Sequence, residues 1–335
     1  MSKQRITVIP GDGIGPDIID SALKVLDKAG CDFEYDFAKA GLAALEETGE
    51  LLPQETLDLI EKNKVTLKGP LTTPVGGGFT SINVSLRKKF QLYANVRPVL
   101  SFKGTKARYD NIDIITVREN TEGMYSGAGQ VMNEERTQAE AKSLITRDGA
   151  KRIVEFAFDL ARRENRKKVT AVHKANILKT TSGLFLEVAR EVAKENSDIQ
   201  FEEMIVDACC MNLVMYPERF DVIVTTNLFG DIVSDLCAGL VGGLGMAPGA
   251  NIGAGAAIFE AVHGSAPDIA GKNIANPSSV ILASIQMLEY LGMQDKAEKI
   301  RKALTEVIDS GDRTTRDLGG TGSTTDFTQS ILDRL

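Results

Sequence analysis

Asp231 and Asp235 stand four residues apart in NLFGDIVSDL, so on a helix their carboxylates share one face about a turn from each other. Two like charges so placed repel unless a cation sits between them, and their hard oxygens suit a divalent metal ion. A solvated acidic face is the alternative. The pair follows the apolar run 222–226, and the end of a strand is where open α/β sheets bind ligands. Arg87 and Arg97 could converge on one anion, with Ser81 and Asn83 as neutral hydrogen-bond partners. The plainer reading puts Arg87 on a basic surface with Lys88 and Lys89. A third arginine, Arg118, ends the run 112–117, and Tyr125 seven residues on is placed to act as a general acid or simply to line a rim. Lys174 and Asn176 follow the run 169–173. Lys174 becomes a base where its pKa is depressed, and is otherwise solvated. Asp207 is one more acid at a strand end.

Delivering these groups takes alternating strands and helices. Residues 6–10 read as a strand, then GDGIGP opens a helix with Pro16 in its first turn and Gly30 at its end. That turn resembles a dinucleotide fingerprint, but its third glycine comes one position early. Glu34, at the place of a ribose acid, keeps a conventional Rossmann reading open; otherwise the turn shapes a cleft edge. Gly76, Gly77 and Gly78 would let the backbone bend or approach a ligand. Residues 126–148 read as irregular, 149–163 as a helix, and Asn276-Pro277 as the start of another. Residues 236–259 carry no charge but seven glycines, and read as a glycine-rich loop region rather than a membrane span.

A chain of 335 residues suffices for two compact domains, and 43% hydrophobic with 25% charged residues is a globular composition. With 39 Lys and Arg against 46 Asp and Glu the net charge is -7, so there is no basic footprint for nucleic acid. An anionic substrate must therefore meet a local arginine cluster or a metal. Cys31, Cys209, Cys210 and Cys237 form no C-x-x-C pair, and only His173 and His263 are present. This excludes a His-built zinc site and points to reduced thiols. With no h-region after Met1, a cytoplasmic location is expected, or a mitochondrial matrix if a transit peptide has been removed.

Six blocks in order, IPGDGIGP, LRKKFQLYANVRP, RENTEGMYSG, VHKANILK, NLFGDIVSDL and EAVHGSAPDIAGKNIANP, resemble the β-decarboxylating dehydrogenases, the isocitrate and 3-isopropylmalate dehydrogenase family, over essentially the whole chain. The resemblance implies a two-domain α/β fold with a mostly parallel mixed sheet, not a conventional Rossmann fold. Residues 1–98 with 249–335 would form the large domain and 99–248 the small one. It also implies a homodimer whose two active sites are each built from both subunits.

Carried over, Arg87, Arg97 and Arg118 grip substrate carboxylates. Asp231 and Asp235, with Asp207 from the other subunit, hold Mg²⁺ or Mn²⁺. Tyr125 and the other subunit's Lys174 form the acid-base pair, and Asn176 lies near the nicotinamide. Isopropylmalate enzymes place apolar residues where Ser81 and Asn83 stand, so isocitrate is the expected substrate. In the loop His263, Gly264, Ser265, Ala266, Pro267, Asp268, Ile269, bacterial NADP users have Lys-Tyr in place of Asp268-Ile269. A carboxylate accepts from ribose hydroxyls and repels a 2′-phosphate, so NAD is expected. Glu260 and Asn276 complete the nucleotide site. Other substrates of the family (3-isopropylmalate, homoisocitrate, tartrate), a non-catalytic regulatory subunit and a metal-and-phosphate module remain alternatives.

Overall fold

Apolar β-branched runs set the strands of this chain, and helices with one apolar face fill the intervals. The computed structural model describes residues 3–74, 80–105 and 107–335. In chain order its strands begin with β1 (Gln4–Ile9), β2 (Phe33–Phe37), β3 (Val65–Lys68), β4 (Ala94–Leu100) and β5 (Asp113–Glu119). A short ribbon, β6 (Val131–Met132) with β7 (Ala139–Glu140), comes next. Then follow β8 (Lys168–His173), β9 (Gln200–Ile205), β10 (Val222–Thr225), β11 (Pro248–Ile252) and β12 (Ala257–Ala261). Among the described residues no helix is long and apolar enough to cross a membrane.

Ten strands make one mixed sheet in the order β2-β1-β3-β12-β11-β4-β5-β10-β8-β9. β2, β1, β3 and β12 are parallel, as are β5, β10, β8 and β9. Antiparallel pairs β12–β11, β11–β4 and β4–β5 join these wings. This is not the order of a conventional Rossmann sheet. Glu34 lies on edge strand β2, exposed and paired with Arg5, which removes it as a ribose acid.

Register partners share a face because side chains alternate along a strand. Arg118 lies opposite Asn95, Asn95 opposite Asn251, and Glu260 opposite Lys68. Gly249 pairs with Glu260 and is two residues from Asn251, so all of these, with Arg97, occupy one face. The other face turns Val96, Ile115, Val117, Ala250 and Phe259 into the main core beneath helices Arg147–Arg163 and Ser278–Tyr290.

Three local expectations are corrected. Residues 236–259 are not a loop region: they finish the helix Asn227–Leu240, form β11 and begin β12. Their Gly and Ala content fits a crowded place, for β11 has a strand on each side and the helix Ser278–Tyr290 against it. The interval after Glu119 contains the β6–β7 ribbon, whose residues are exposed and so carry no apolar period to read. The helix bearing Asp231 starts at Asn227, directly after β10, where the sequence predicts a helical pattern only from near Phe229. Gly76, Gly77 and Gly78 lie outside the described residues.

The GDGIG turn is spent on packing. Gly13 has φ +61°, and a Cβ there would fall 1.9 Å from the Ser265 carbonyl oxygen, which also accepts from the Ile14 amide at 2.9 Å. The turn thus forms a cleft edge under the loop after β12. Buried Asp12 accepts from the amides of Leu42 (3.1 Å), Ala43 (3.1 Å) and Thr72 (2.7 Å), tying the loops after β1 and β3 to the helix Leu42–Thr48. Asp12→Ala leaves three amides without their acceptor and should lower the urea unfolding free energy by about 3 kcal/mol at unchanged m value. A loss below about 0.5 kcal/mol would contradict this account of the turn.

Candidate active site

Arg97 on β4 and Arg118 on β5 are diagonal neighbours on one face, and the helix Asn227–Leu240 packs across them. Gly230 permits the close approach, since a Cβ there would lie 2.5 Å from Arg118 Cγ. The helix sets Asp231 and Asp235 above the two guanidinium groups. Arg97 Nη1 donates to Asp235 Oδ1 at 2.8 Å and to Ser234 Oγ at 2.9 Å, while Arg118 pairs with Asp231. Asn227 Oδ1 accepts from Arg118 Nε (2.9 Å) and Nη2 (2.7 Å), fixing the plane of a guanidinium that is 1% exposed. Tyr125, in the turn Met124–Ser126, donates its hydroxyl to Asp231 Oδ2 at 2.7 Å. The Arg118 guanidinium also lies 4.9 Å from its ring centre.

Burial dominates the electrostatics. It lowers the pKa of Arg118 to about 10, with Arg87 and Arg97 adding repulsion and Asp231 opposing. Burial, then the bond to Asp231, raises the Tyr125 phenol, which is therefore a protonated donor at neutral pH. Burial also pushes the Asp231 carboxyl up, but Arg118, the Tyr125 bond and Arg97 outweigh it and hold it below its usual value.

Arg87, on the helix Ile82–Lys89, is buried, which lowers its pKa, while Lys88 and Lys89 stay exposed. The basic-surface reading of Arg87 is thereby excluded. Ser81 precedes the helix and is exposed; Asn83 is half-buried, with a buried Oδ1 that has no partner among the described residues.

Lys174 and Asp207 stand apart from this cluster and pair with each other, one after β8 and the other in the first turn of the helix Val206–Met215. The Lys174 ammonium holds the Asp207 carboxyl below its usual value. Among the described residues no third acid joins Asp231 and Asp235 in a metal-holding group. The pair itself fits a hard cation: its side chains are 37% and 51% exposed, and all its donors are carboxylate oxygens. Asn176 is exposed in the turn after β8.

The expected nucleotide residues other than Asn176 gather at or past the parallel ends of β1, β3 and β12. Ser265 Oγ meets Thr72 Oγ1 at 2.7 Å, and Ala266 takes φ +39°. His263 Nδ1 lies 3.0 Å from the Gly264 oxygen; burial lowers its pKa, so the ring is neutral. Gly264 and Asp268 are exposed, and Ile269 packs partly against the core. Asn276 sits behind the loop, donating to Asp317 at 2.8 Å and accepting from the Ser278 amide at 2.9 Å. Glu260 is buried between Lys68 (2.7 Å) and Asn251 (2.6 Å); burial would raise its pKa, but Lys68, Arg87 and these bonds bring it to about 2. Lys68, Asn251 and Asn227 were not singled out from the sequence. For Lys68 and Asn251 the available signal is a polar residue inside the apolar strand sequences VTLK and PGANI.

The family model for isocitrate/isopropylmalate dehydrogenase matches residues 5–331. The chain is 50% identical over 331 residues to the mitochondrial isocitrate dehydrogenase (NAD) catalytic subunit 5 of Arabidopsis thaliana, covering 98% of this chain and 88% of that one. It is 48% identical over 335 residues to the mitochondrial isocitrate dehydrogenase (NAD) subunit alpha of Homo sapiens, covering 99% and 90%. The crystal structure of isocitrate dehydrogenase from Methylococcus capsulatus superposes with a TM-score of 0.95 at 56% identity, covering 99% of each chain. With its sheet order, its arginine-aspartate cluster and these matches taken together, the chain belongs to the isocitrate/isopropylmalate dehydrogenase family.

Proposed function

We propose that this protein oxidatively decarboxylates isocitrate to 2-oxoglutarate and CO₂, reducing NAD. The observation that carries the reading is the buried cluster in which Arg97 and Arg118 meet Asp235 and Asp231 while Arg87 stays unpaired among the described residues. Such a seat suits a ligand with several carboxylates and a bound cation. The names of the relatives support NAD and isocitrate, and Ser81 and Asn83 offer hydrogen bonds where an apolar substrate branch would need apolar residues.

The residues divide the work. Arg87, Arg97 and Arg118 bind and orient the carboxylates. Asp231 and Asp235, with the partner subunit's Asp207, would hold Mg²⁺ or Mn²⁺, which would supply Lewis-acid polarisation of the bound substrate. The partner subunit's Lys174 would take the hydroxyl proton, and NAD held beside it would supply the hydride acceptor. Tyr125 then protonates the carbon that has lost CO₂; its raised pKa suits a donor that must keep its proton until that step. Asp268 accepts from the adenosine ribose hydroxyls, the loop His263 to Ile269 with Gly264, Ser265 and Ala266 covers the adenosine, and Asn176, Glu260 and Asn276 complete the cofactor site. A regulatory subunit is disfavoured because Tyr125, Lys174 and all three aspartates are in place.

Pairing of two copies follows from what one chain lacks. Half-buried Lys174 and exposed Asp207 lie on the same side of the sheet as an apolar surface on adjoining helices, where Met211, Val214, Met215, Leu228 and Ile232 face solvent. A homodimer would cover that surface and bring one copy's Lys174 to the other's Tyr125. The domain division at 98 and 249 falls within or beside the paired strands β4 and β11, which would then be the crossings between domains. The two relatives named above are mitochondrial. For this chain we keep the cytoplasm, or a matrix-type compartment, as the expected location.

Purified protein with Mg²⁺ should reduce NAD with isocitrate, with kcat/KM at least about 100-fold above that for NADP or 3-isopropylmalate. Preference for NADP would overturn the role of Asp268, and preference for isopropylmalate that of Ser81 and Asn83. Co-expressed Tyr125→Phe and Lys174→Ala chains should regain activity through mixed dimers with one intact site, to about a quarter of the wild-type rate. Isolated mixed dimers without activity would refute contribution across the interface.

A further inference from the structure

Glu260 is the anion that bears most strongly on Arg87, yet its carboxylate is turned elsewhere. Oε2 accepts from Lys68 Nζ at 2.7 Å and Oε1 from Asn251 Nδ2 at 2.6 Å. Asn251 is held in turn by its own Oδ1, which accepts from Asn95 Nδ2 and Asn120 Nδ2, both at 3.0 Å. Gly249, opposite Glu260 in the ladder, has no side chain to block the reach from Glu260 to Asn251. All four side chains of this relay, Lys68, Glu260, Asn251 and Asn95, are buried.

We infer that Asn251 is a positioning residue: its amide holds Glu260 toward Lys68 and away from Arg87, so that Arg87 stays free for a substrate carboxylate. A buried carboxylate that loses one of two donors is driven to another, because an unsatisfied lone pair in a low-dielectric site is costly. Arg87 has no ion pair or side-chain hydrogen bond among the described residues, and carboxylate with guanidinium is the strongest pairing available. Without the Asn251 amide, Glu260 therefore closes the anion seat from inside. The inference rests on the proposed role of Arg87 in binding substrate.

Asn251→Ser withdraws the amide from Glu260, and its acceptor from Asn95 and Asn120, and leaves a hydroxyl one atom shorter. In it the calorimetric Kd for isocitrate with Mg²⁺ should rise at least about tenfold while kcat changes less than about threefold. Adding Glu260→Gln removes the competing charge, so the double variant should bind as Glu260→Gln alone does, a non-additive cycle. Phenylglyoxal labelling of Arg87, mapped by peptide mass spectrometry, needs no substrate. It should slow at least about fivefold in Asn251→Ser and recover in the double variant. A role limited to stability would lower the melting temperature and leave labelling of the folded protein unchanged. Unchanged labelling or additive binding effects overturn the positioning role. Labelling that behaves as expected in a protein that binds no isocitrate upholds the Asn251 device and overturns the proposed function.

Discussion

Three guanidinium groups gathered on one face of a sheet repel one another and lose their hydration, and most of the cleft is arranged around that excess of buried positive charge. Asp231 and Asp235 answer it from the helix Asn227–Leu240, which can come close enough only because residue 230 has no side chain. Asn227 fixes the Arg118 plane and Tyr125 satisfies the remaining Asp231 oxygen. The aspartates cannot neutralise all three arginines and also serve a cation, so on the proposed function the site would be complete only when an anionic ligand and a metal arrive together. The ground state of the free protein is thus an internal ion-pair network that substrate and cation must rearrange.

The same constraint explains the centre of the sheet. A parallel wing carries the cofactor-side loops and another carries the acid-bearing helix, and the strands between them are antiparallel. From β3 across these central strands to β5 runs the polar row Lys68, Glu260, Asn251, Asn95 and Arg118 on one face, with the apolar core on the other. Buried polar groups are tolerated only when bonded, and each member of the row is bonded to a neighbour or to the aspartate cluster. The row therefore connects the floor beneath the loop after β12 to the floor of the arginine cluster through buried, bonded side chains.

Much of this was legible in the sequence because local signals and tertiary demands agree. The strand before Asp231, the four-residue spacing to Asp235 and the early third glycine of GDGIG all follow from periodicity and turn chemistry, and each has its counterpart in the structure. Arg87 was ambiguous because its neighbours Lys88 and Lys89 are surface residues, and only the direction of one helix decides which side it faces. β11 was misread since strand signals rest on bulky branched residues, whereas a crowded central strand selects Gly and Ala. The β6–β7 ribbon is exposed and has no buried face to impress a period on its residues. Lys68, Asn251 and Asn227 act through partners distant in sequence, so spacing along the chain says nothing of their roles.

The central claim is that Asp231 and Asp235 form a cation site that arginines occupy until substrate replaces them. Mn²⁺ binding followed by electron paramagnetic resonance, with and without isocitrate, tests it most directly. By reciprocal linkage, isocitrate should tighten Mn²⁺ binding at least about tenfold, and Asp231→Asn should abolish that tightening. Mn²⁺ binding that is equally tight without isocitrate, or that survives Asp231→Asn unchanged, would contradict the account.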